Sequence, residues 1–519
     1  MQAPIDEKPA ADPSTERAHA VVIGAGFGGL SAAIRLAVRG YRVTVVDRRD
    51  KPGGRAYVYE DQGFVFDGGP TVVTAPFLFE ELWELCGKKL EDDVDLRPVT
   101  PFYRIRFDDG VVFDYTGDRE SMHREINKIS PEDVAGYDRF VAASENIFKV
   151  GFEQLAHVPF GSPMDMLKIV PEMMRLQSYR TVYGFAKRYV KHEKLRTVLS
   201  FHPLLVGGNP FSTTSIYALI LFLERKWGVH FPIGGTGALV QGLVQLIEEQ
   251  GGTLRLSEDV ESITIDDTGK KPRASGIRLK SGEEIPADVV ISNADAAWTY
   301  RYLVPEKHRR RWTNRRIERA RYSMSLFVWY FGTDRRYDDV AHHTILLGPR
   351  YKGLLDDIFE RKILADDFSL YLHRPSATDP AMAPDGCDAF YVLSPVPHLD
   401  ADVDWEEQRE PYRKKIESYL ANTILPDLDK HLVTSRILDP QGFHDELLSY
   451  KGAAFSVEPV LTQSAYFRPH NRSEDIEHLY LVGAGTHPGA GMPGVISSAR
   501  VLDSVVPDAD AISRARQSR

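Results

Sequence analysis

Residues 19–47 read HAVVIGAGFGGLSAAIRLAVRGYRVTVVD, and this stretch decides the fold. A short β-branched run leads into a glycine loop at 24–29, after which apolar residues recur at helical spacing until Gly40. A second run of the buried-strand type, at 41–46, ends at Asp47. The pattern predicts a strand, a tight turn, a helix and a second strand, which together form one βαβ unit.

The glycine loop has the features of a dinucleotide-binding turn. Gly24 allows the turn out of the strand, Gly26 lets a pyrophosphate approach the helix N-terminus, and Gly29 lets helix and strand pack closely, with Gly28 in the same loop. Asp47, at the tip of the second strand, can accept hydrogen bonds from both hydroxyls of an adenosine ribose and would repel a ribose phosphate, which argues against NADP. The alternative is a glycine-rich turn that binds nothing.

Length, charge and cysteine content exclude several classes of protein. A chain of 519 residues is long enough for two or three domains. With 64 basic and 74 acidic residues the net charge is −10, so we do not expect nucleic acid as a partner. The two cysteines, Cys86 and Cys387, fit a reducing cytoplasm and exclude a disulfide scaffold or a cysteine-based metal cluster.

The ends of the chain and its apolar stretches predict where the protein resides. Residues 1–18 are polar and proline-containing and lack an apolar segment, so we predict a disordered tail without a secretion signal. The longest apolar stretches are far shorter than a bilayer-spanning helix requires. We therefore expect a cytoplasmic protein that is soluble or lies on one face of a membrane.

Two further glycine turns follow the βαβ unit. Gly53 and Gly54 precede Arg55, a pattern typical of a chain that wraps back over a flavin's pyrophosphate, where Arg55 can pair with a phosphate; a basic surface turn is the alternative. Residues 66–71, FDGGPT, include Gly69 and form a place where the backbone can approach a flat ring, or an ordinary turn.

The sequence pattern divides the chain into a discontinuous nucleotide-binding domain and two other parts. Residues 19–115, 231–295 and 446–505 are predicted to form the nucleotide-binding domain, with a hairpin at 102–115. Residues 116–230 read as helical, and the basic amphipathic stretch 164–189 suits either an anionic membrane surface or a solvated helix pair. Residues 296–445 mix strands and helices in a substrate-facing domain, and residues 506–519 form a C-terminal tail.

A second strand–glycine–helix junction lies at 479–495, LYLVGAGTHPGAGMPGV. Two such junctions suit a cofactor with two ends, the first holding the ADP part and the second an isoalloxazine ring. A helix N-terminus near Pro493 would stabilise negative charge on that ring. His487 in this turn suggests covalent flavin attachment or acid–base work, but a structural role is the more common one. We find no Ser-His-Asp order, metal-ligand cluster or Walker loop, so the chemistry is assigned to the cofactor.

Longer motifs give the chain a resemblance to a known family. Over about residues 19–500 it resembles the bacterial-type phytoene desaturases, members of the flavin amine-oxidase-like superfamily. The motifs that carry the resemblance are VVIGAGFGGL, RRDKPGGRAYVYEDQGF, FHPLLVGGNPFSTTSIYALI, WGVHFPIGGTGALVQG, AHHTILLGPRY, DFSLYLH, AFSVEPVLTQSAYFRPHNR and LYLVGAGTHPGAGMPGV.

The resemblance implies an α/β fold: a Rossmann-like FAD-binding domain of the flavin amine-oxidase type, a mixed-sheet substrate domain and a helical membrane-facing segment. It implies FAD as the redox cofactor and no metal. The implied FAD contacts are Gly24, Gly26, Gly28, Gly29, Asp47, Gly54, Arg55, Gly69, Val260, Gly485, Pro493 and Val495.

The resemblance also implies a reaction. The substrate would be a hydrophobic polyene, phytoene or similar, drawn from the membrane surface, and successive dehydrogenations toward lycopene would each transfer hydride from an allylic carbon to flavin N5. Oxygen or a quinone would reoxidise the flavin. Asp165 matches an acid implied to handle protons, although Lys168 stands where the family has an arginine. The alternatives are another carotenoid or C30 precursor, a flavin amine oxidase, or a non-enzymatic isoprenoid escort protein.

Overall fold

The structure is a computed structural model that describes residues 17–517. The strands are β1 (His19–Ile23), β2 (Arg42–Val46), β3 (Val58–Asp61), β4 (Phe64–Asp67), β5 (Leu96–Pro98), β6 (Tyr103–Arg106), β7 (Val112–Tyr115), β8 (His230–Pro232), β9 (Thr253–Arg255), β10 (Val260–Asp266), β11 (Arg273–Leu279), β12 (Glu284–Pro286), β13 (Val289–Ser292), β14 (Ser325–Thr333), β15 (His343–Leu346), β16 (Leu370–His373), β17 (Asp388–Val396), β18 (Leu432–Leu438) and β19 (Leu479–Leu481).

The helices are α1 (Phe27–Val38), α2 (Pro76–Leu85), α3 (Leu90–Asp93), α4 (Arg119–Ile129), α5 (Val134–Phe148), α6 (Pro163–Arg175), α7 (Val182–Ala186), α8 (Glu193–Val198), α9 (Leu219–Trp227), α10 (Thr236–Glu249), α11 (Ala296–Trp298), α12 (Asn314–Arg319), α13 (Tyr351–Asp356), α14 (Trp405–Thr423), α15 (Leu428–His431), α16 (Pro440–Asp445), α17 (Met492–Val505) and α18 (Ala509–Gln517).

A five-stranded parallel sheet holds the predicted βαβ unit. Its strand order is β19-β13-β1-β2-β9, so β1 lies at the centre and every residue of β1 is buried. Such burial on both faces explains the β-branched run of β1. The helices α1, α10 and α17 pack together on the sheet. Segments far apart in sequence therefore build one parallel sheet.

The second sheet is mixed and has seven strands in the order β18-β14-β17-β16-β15-β6-β7. All of its neighbours are antiparallel except β15 and β6, which run parallel. The predicted hairpin at 102–115 is confirmed as β6–β7, but its placement in the nucleotide-binding domain was wrong. It extends the sheet of the predicted substrate domain, because Ile105 pairs with Ile345 of β15.

Strands β10, β11 and β12 form a separate antiparallel sheet. Within the segment 231–295, predicted to belong to the nucleotide-binding domain, β9 and β13 join the five-stranded sheet, whereas β10, β11 and β12 do not. Residues 116–230 are mainly helical, as predicted, and contain α4 to α9. Within residues 17–517, no helix combines the length and the apolar character that a membrane crossing requires.

The structure describes only parts of the two predicted tails. The tail predicted at 1–18 lies outside the described residues except for its last two, and there the Ala18 carbonyl accepts a hydrogen bond from the Arg42 N–H. In the segment 506–519, predicted as a tail, residues 509–517 form α18. Arg39 and Tyr41 hold the start of this segment by donating to the carbonyls of Val506 and Pro507.

Candidate functional site

One cavity of about 540 Å³ lies between the two large sheets and the helical segment. Its wall includes the glycine loop after β1, the turn after β4, the start of α17 and apolar residues of α9, β14 and β15. The carboxyl ends of β1 and β13 open into it, which is where open α/β sheets bind their ligands. The two junctions singled out in the sequence therefore meet at one cavity.

The first junction has the close packing that its glycines predict. Gly24 adopts φ +95°, and a Cβ atom on Gly29 would lie 2.0 Å from the Gly24 carbonyl oxygen. A Cβ on Gly28 would lie 2.5 Å from Asn293 Oδ1. Gly24, Gly26 and Gly28 line the cavity, whereas Gly29 lies behind the wall and serves the packing of helix on strand.

Asp47 lies on the cavity wall beside this loop. Its carboxylate accepts backbone N–H groups of Ala25 at 2.7 Å and Arg49 at 2.9 Å. Burial raises the pKa of Asp47, and these two hydrogen bonds oppose the rise. The carboxylate is thus fixed at the end of β2, where a ribose bound over the glycine loop would lie.

The turn around Arg55 packs against the same loop, and the Gly69 turn packs against the Arg55 turn, since a Cβ on Gly69 would lie 2.7 Å from the Arg55 carbonyl oxygen. Gly54, at φ +57°, comes so close to Gly26 that a Cβ would lie 3.2 Å from the Gly26 Cα. Arg55 Nη2 donates to Ser449 Oγ at 2.8 Å, while its buried Nε has no partner among the described residues. Burial lowers the pKa of Arg55. Gly54, Arg55 and Gly69 all line the cavity, as the sequence predicts.

The second junction opens α17 with Gly491 at φ +88°. Pro493 and Val495, in the first turn of this helix, line the cavity, and so does Val260 at the start of β10. Gly485 does not. A Cβ there would lie 2.7 Å from the Ala296 Cβ, so the structure gives Gly485 a packing role, and its contact with the cofactor stays a prediction.

His487 is buried beside Phe160, with ring centroids 4.8 Å apart, and lines the cavity. Its Nε2 donates to the Leu155 carbonyl at 2.9 Å. Burial lowers the pKa of His487 to about 4, so the ring is neutral near pH 7. The hydrogen bond to the Leu155 carbonyl fixes the ring in place and gives His487 a structural role.

Asp165 is not brought into the cavity wall. Its Oδ2 accepts the Ser162 N–H at 2.9 Å, and the Ser162 hydroxyl accepts the Asp165 N–H, so the two residues form a capping box at the start of α6. These hydrogen bonds lower the pKa of Asp165. Lys168 lies 3.9 Å away. The carboxylate has a local structural task that explains its presence, and the predicted catalytic role has no support from its position.

Most of the remaining wall is apolar. The helical segment and the seven-stranded sheet supply most of it, through Phe152, Met166, Ile169, Met173, Phe201, Leu204, Leu205, Ile220, Leu223, Leu326, Val328, Ile345 and Leu347. Such a wall binds a ligand through apolar area and excludes water from it.

Thr71, Tyr371 and Tyr391 form a polar group in the cavity wall, with three histidines behind it. The sequence analysis did not identify this group. The ring nitrogens of His342, His343 and His373 lie within 4.8 Å of one another. Paired histidines in AHHT were the available signal, but their third member lies thirty residues away in another strand.

Gly26, Asp47 and Arg55 form a cradle on the cavity wall, and this cradle fits the two-ended cofactor predicted from the sequence. Gly26 leaves room beside the helix N-terminus that a side chain would fill, since its Cβ would lie 3.0 Å from Asn293 Nδ2. The unpartnered Nε of Arg55 offers a donor to an anion, and Asp47 offers an acceptor. The room at Gly26 and the donor of Arg55 match a pyrophosphate, and the acceptor of Asp47 matches a ribose.

Comparisons with known proteins agree with this geometry. The family of flavin containing amine oxidoreductases matches residues 27–501. A lycopene-forming phytoene desaturase of Pseudescherichia vulneris is 50% identical over 487 residues, which cover 94% of this chain and 98% of the relative. A neurosporene-forming phytoene desaturase of Rhodobacter capsulatus is 48% identical over 495 residues and covers 94% of each chain.

A solved structure of a redesigned putrescine oxidase has a TM-score of 0.64 at 14% identity and covers 96% of this chain and 99% of its own. At that identity the likeness concerns the fold alone.

Proposed function

Because the chain belongs to the family of flavin containing amine oxidoreductases, we propose that it is an FAD-dependent desaturase that dehydrogenates phytoene stepwise toward lycopene. The observation that carries the proposal is that the dinucleotide cradle and the apolar wall belong to the same cavity. A hydrocarbon offers no groups for hydrogen bonding, so an apolar wall is what its binding requires.

The described residues have distinct tasks in this reaction. FAD, when bound, supplies a two-electron acceptor for hydride. Asp47 would hold the ribose, Arg55 and the Gly26 backbone the pyrophosphate, and the N-terminus of α17 would stabilise negative charge on the ring system. The apolar residues of α6 and β15 orient the polyene and exclude water.

The site supports a desaturase better than an amine oxidase. Among the described residues that line the cavity there is no lysine, the residue that an amine oxidase tends to use, and the wall is predominantly aliphatic. An escort protein without flavin is disfavoured because the cradle residues are all in place. The relatives include lycopene-forming and neurosporene-forming enzymes at similar identity, and desaturases of 4,4'-diapophytoene at 33 to 34%. A C40 substrate therefore has the stronger support.

Spectroscopy of the purified protein tests the function. We expect bound flavin, and under anaerobic conditions we expect phytoene to bleach its absorbance while putrescine and other amines do not. Product analysis then decides how many double bonds are introduced. Bleaching by an amine, or a protein that stays free of flavin when FAD is supplied, would contradict the proposal.

We further propose that the protein works on the cytoplasmic side of a membrane, held there by α6. The outward face of this helix exposes Met164, Leu167, Val170 and Met174, while its opposite face lines the cavity. Lys168 and Arg175 flank the apolar residues. An apolar face bordered by basic residues suits an anionic lipid surface, and its position beside the cavity suits a substrate delivered from lipid.

The proposal also names a compartment and an electron acceptor. Cys86 and Cys387 are free thiols, which agrees with a reducing compartment. Oxygen or a membrane quinone is proposed as the final electron acceptor, and a quinone would fit the location at a membrane. Supplying each acceptor to the reduced protein and measuring the return of flavin absorbance distinguishes them.

A further inference from the structure

A series of hydroxyl groups begins at the cavity wall beside the Gly68–Gly69 turn. The Tyr391 hydroxyl donates to the Gly69 carbonyl at 3.0 Å. Thr71 Oγ1 lies 2.7 Å from the Tyr391 hydroxyl and 3.2 Å from the Tyr371 hydroxyl. Thr71, Tyr371 and Tyr391 all line the cavity, next to the turn at which the backbone can approach a flat ring.

The series continues inward to a buried carboxyl group. The Tyr371 hydroxyl and His343 Nδ1 form a hydrogen bond of 2.6 Å, and His343 Nδ1 lies 3.4 Å from His373 Nδ1. His373 Nε2 lies 3.9 Å from Asp67 Oδ2. A shift of about 1 Å in one of these two side chains would bring that last pair within hydrogen-bonding distance.

Several polar atoms at the inner end are buried without a partner among the described residues. They are Asp67 Oδ2 and the Nε2 atoms of His342, His343 and His373. Unpartnered buried polar atoms are rare, because each one costs the free energy of its lost hydration, and a cluster of them calls for a functional explanation. Side chains that take up and release a proton during a reaction can remain without a fixed hydrogen-bond partner.

Desaturation releases a proton inside the cavity. Two C–H bonds on neighbouring carbons break: one hydrogen leaves as hydride, with FAD as the oxidant, and the other leaves as a proton while its electron pair forms the new double bond. The apolar wall keeps water away from the reacting carbons. The proton therefore needs a route through the protein.

We propose that Asp67 is the terminal acceptor of this proton, which reaches it through Thr71, Tyr371, His343 and His373. The inference rests on the proposed function and adds the group that takes up the proton. Only a proton moves along the series, so Asp67 changes from carboxylate to carboxylic acid and no protein group is oxidised or reduced.

The electrostatics of the cluster agree with this role. Burial raises the pKa of Asp67 to about 6, although Oδ1 accepts the Thr236 N–H at 2.8 Å and its hydroxyl at 2.9 Å at the start of α10. The titratable groups that face it are His342, His343 and His373, whose pKa values burial lowers, to about 3 for His373, and Tyr371 and Tyr391, whose pKa values burial raises. Near pH 7 the rings are neutral and Asp67 can accept a proton.

Two other acids, Asp165 and Glu224, are less well placed. Asp165 caps its own helix outside the cavity wall. Glu224 reaches the wall, but its two oxygens are already hydrogen-bonded to Tyr103 at 2.7 Å and His202 at 3.1 Å. Asp67 differs from both because one of its oxygens is unpartnered and points toward the histidines.

The test compares the FAD-loaded wild type with Asp67→Asn, Tyr371→Phe and the control Tyr115→Phe. Asn keeps the acceptor for Thr236 but cannot take up a proton. Tyr371→Phe removes the hydroxyl between Thr71 and His343. Tyr115 is a buried tyrosine of the same sheet whose hydroxyl has no partner among the described residues and which lies outside the cavity wall.

The first measurement is the anaerobic rate of flavin bleaching by phytoene between pH 5 and 8. We expect the wild-type rate to rise through about pH 6 as Asp67 ionises. Asp67→Asn should be about 100-fold slower with no such rise, Tyr371→Phe should be at least about tenfold slower, and Tyr115→Phe should stay within about twofold. A wild-type rate in Asp67→Asn would overturn the inference, and a wild-type rate in Tyr371→Phe would overturn the route through Tyr371.

The second measurement needs no turnover. Infrared difference spectra of the substrate-free, FAD-loaded protein should show a protonated carboxyl band that disappears as the pH rises through about 6 and is missing in Asp67→Asn. Absence of that band in the wild type would overturn the assignment. If phytoene fails to bleach the wild-type flavin at all, the proposed function fails, and the infrared titration still decides whether Asp67 exchanges a proton at this pH.

Discussion

Gly29 lies directly against the backbone of Gly24, so closely that a Cβ on Gly29 would stand 2.0 Å from the Gly24 carbonyl oxygen. This contact brings the start of α1 onto the end of β1 and thereby fixes where the first turn of the helix points. Gly29 does not line the cavity, but it sets the positions of Gly24, Gly26 and Gly28, which do.

Gly29→Ala should therefore separate helix from strand. We expect destabilisation of about 3 kcal/mol and loss of bound flavin, because a backbone carbonyl cannot move aside as a side chain can. Thermal unfolding and the flavin-to-protein absorbance ratio measure both effects. Gly161→Ala is the control, since a Cβ there would meet nothing within 4 Å. Equal behaviour of the two variants would show that the contact relaxes without cost.

Asp47→Asn tests the ribose contact. The N–H groups of Ala25 and Arg49 bind different oxygens of the carboxylate, so the amide can keep only one of these hydrogen bonds and carries no charge for the ribose hydroxyls. Loss of a charge-assisted hydrogen bond predicts a dissociation constant for FAD that is about 10- to 100-fold higher. Quenching of flavin fluorescence on binding measures this constant, with the exposed Asp92→Asn as control. Unchanged affinity would remove Asp47 from the binding site.

The parts of the molecule that local patterns specify could be predicted from the sequence. The βαβ unit at 19–47 and the start of α17 are encoded by contiguous runs of apolar residues and glycines. Arg55 was found because the chain reaches it directly after that unit. Gly485 shows the limit of the approach, because a glycine in such a turn has the same sequence signature whether it faces a cofactor or packs against Ala296.

Long-range pairing could not be predicted. The hairpin β6–β7 was visible as two strands and a turn, yet its sheet depends on β15, more than two hundred residues later. Thr71 meets Tyr371 and Tyr391 across 300 and 320 positions. The apolar pattern of these strands defines a buried face, and only the register of the assembled sheet decides which polar groups on that face meet.

The exposed face of α6 predicts how membrane binding should respond to charge. Leu167 and Met174 are 62% and 59% exposed on this face. Replacing both by Glu should weaken binding to anionic liposomes at least about tenfold, since two apolar side chains would no longer enter the lipid and two negative charges would face it. Liposome flotation measures the bound fraction.

Val433→Glu, an exposed position in β18, is the control for that experiment. It adds a negative charge without altering α6 and should leave liposome binding unchanged. Equal binding by the α6 double variant and the wild type would remove α6 from the proposed membrane contact.

The raised pKa of Asp67 also predicts how the free energy of unfolding depends on pH. Its pKa is raised to about 6 in the folded protein, so the folded state binds a proton that the unfolded state has already released between about pH 4 and 6. The stabilisation from this proton is complete below about pH 4 and is lost as the pH rises through about 6. Relative to Asp67→Asn, the wild type should lose about 3 kcal/mol across that interval. Urea unfolding of the FAD-loaded proteins at several pH values measures the difference. A constant difference between the two proteins would show that Asp67 does not titrate in that range.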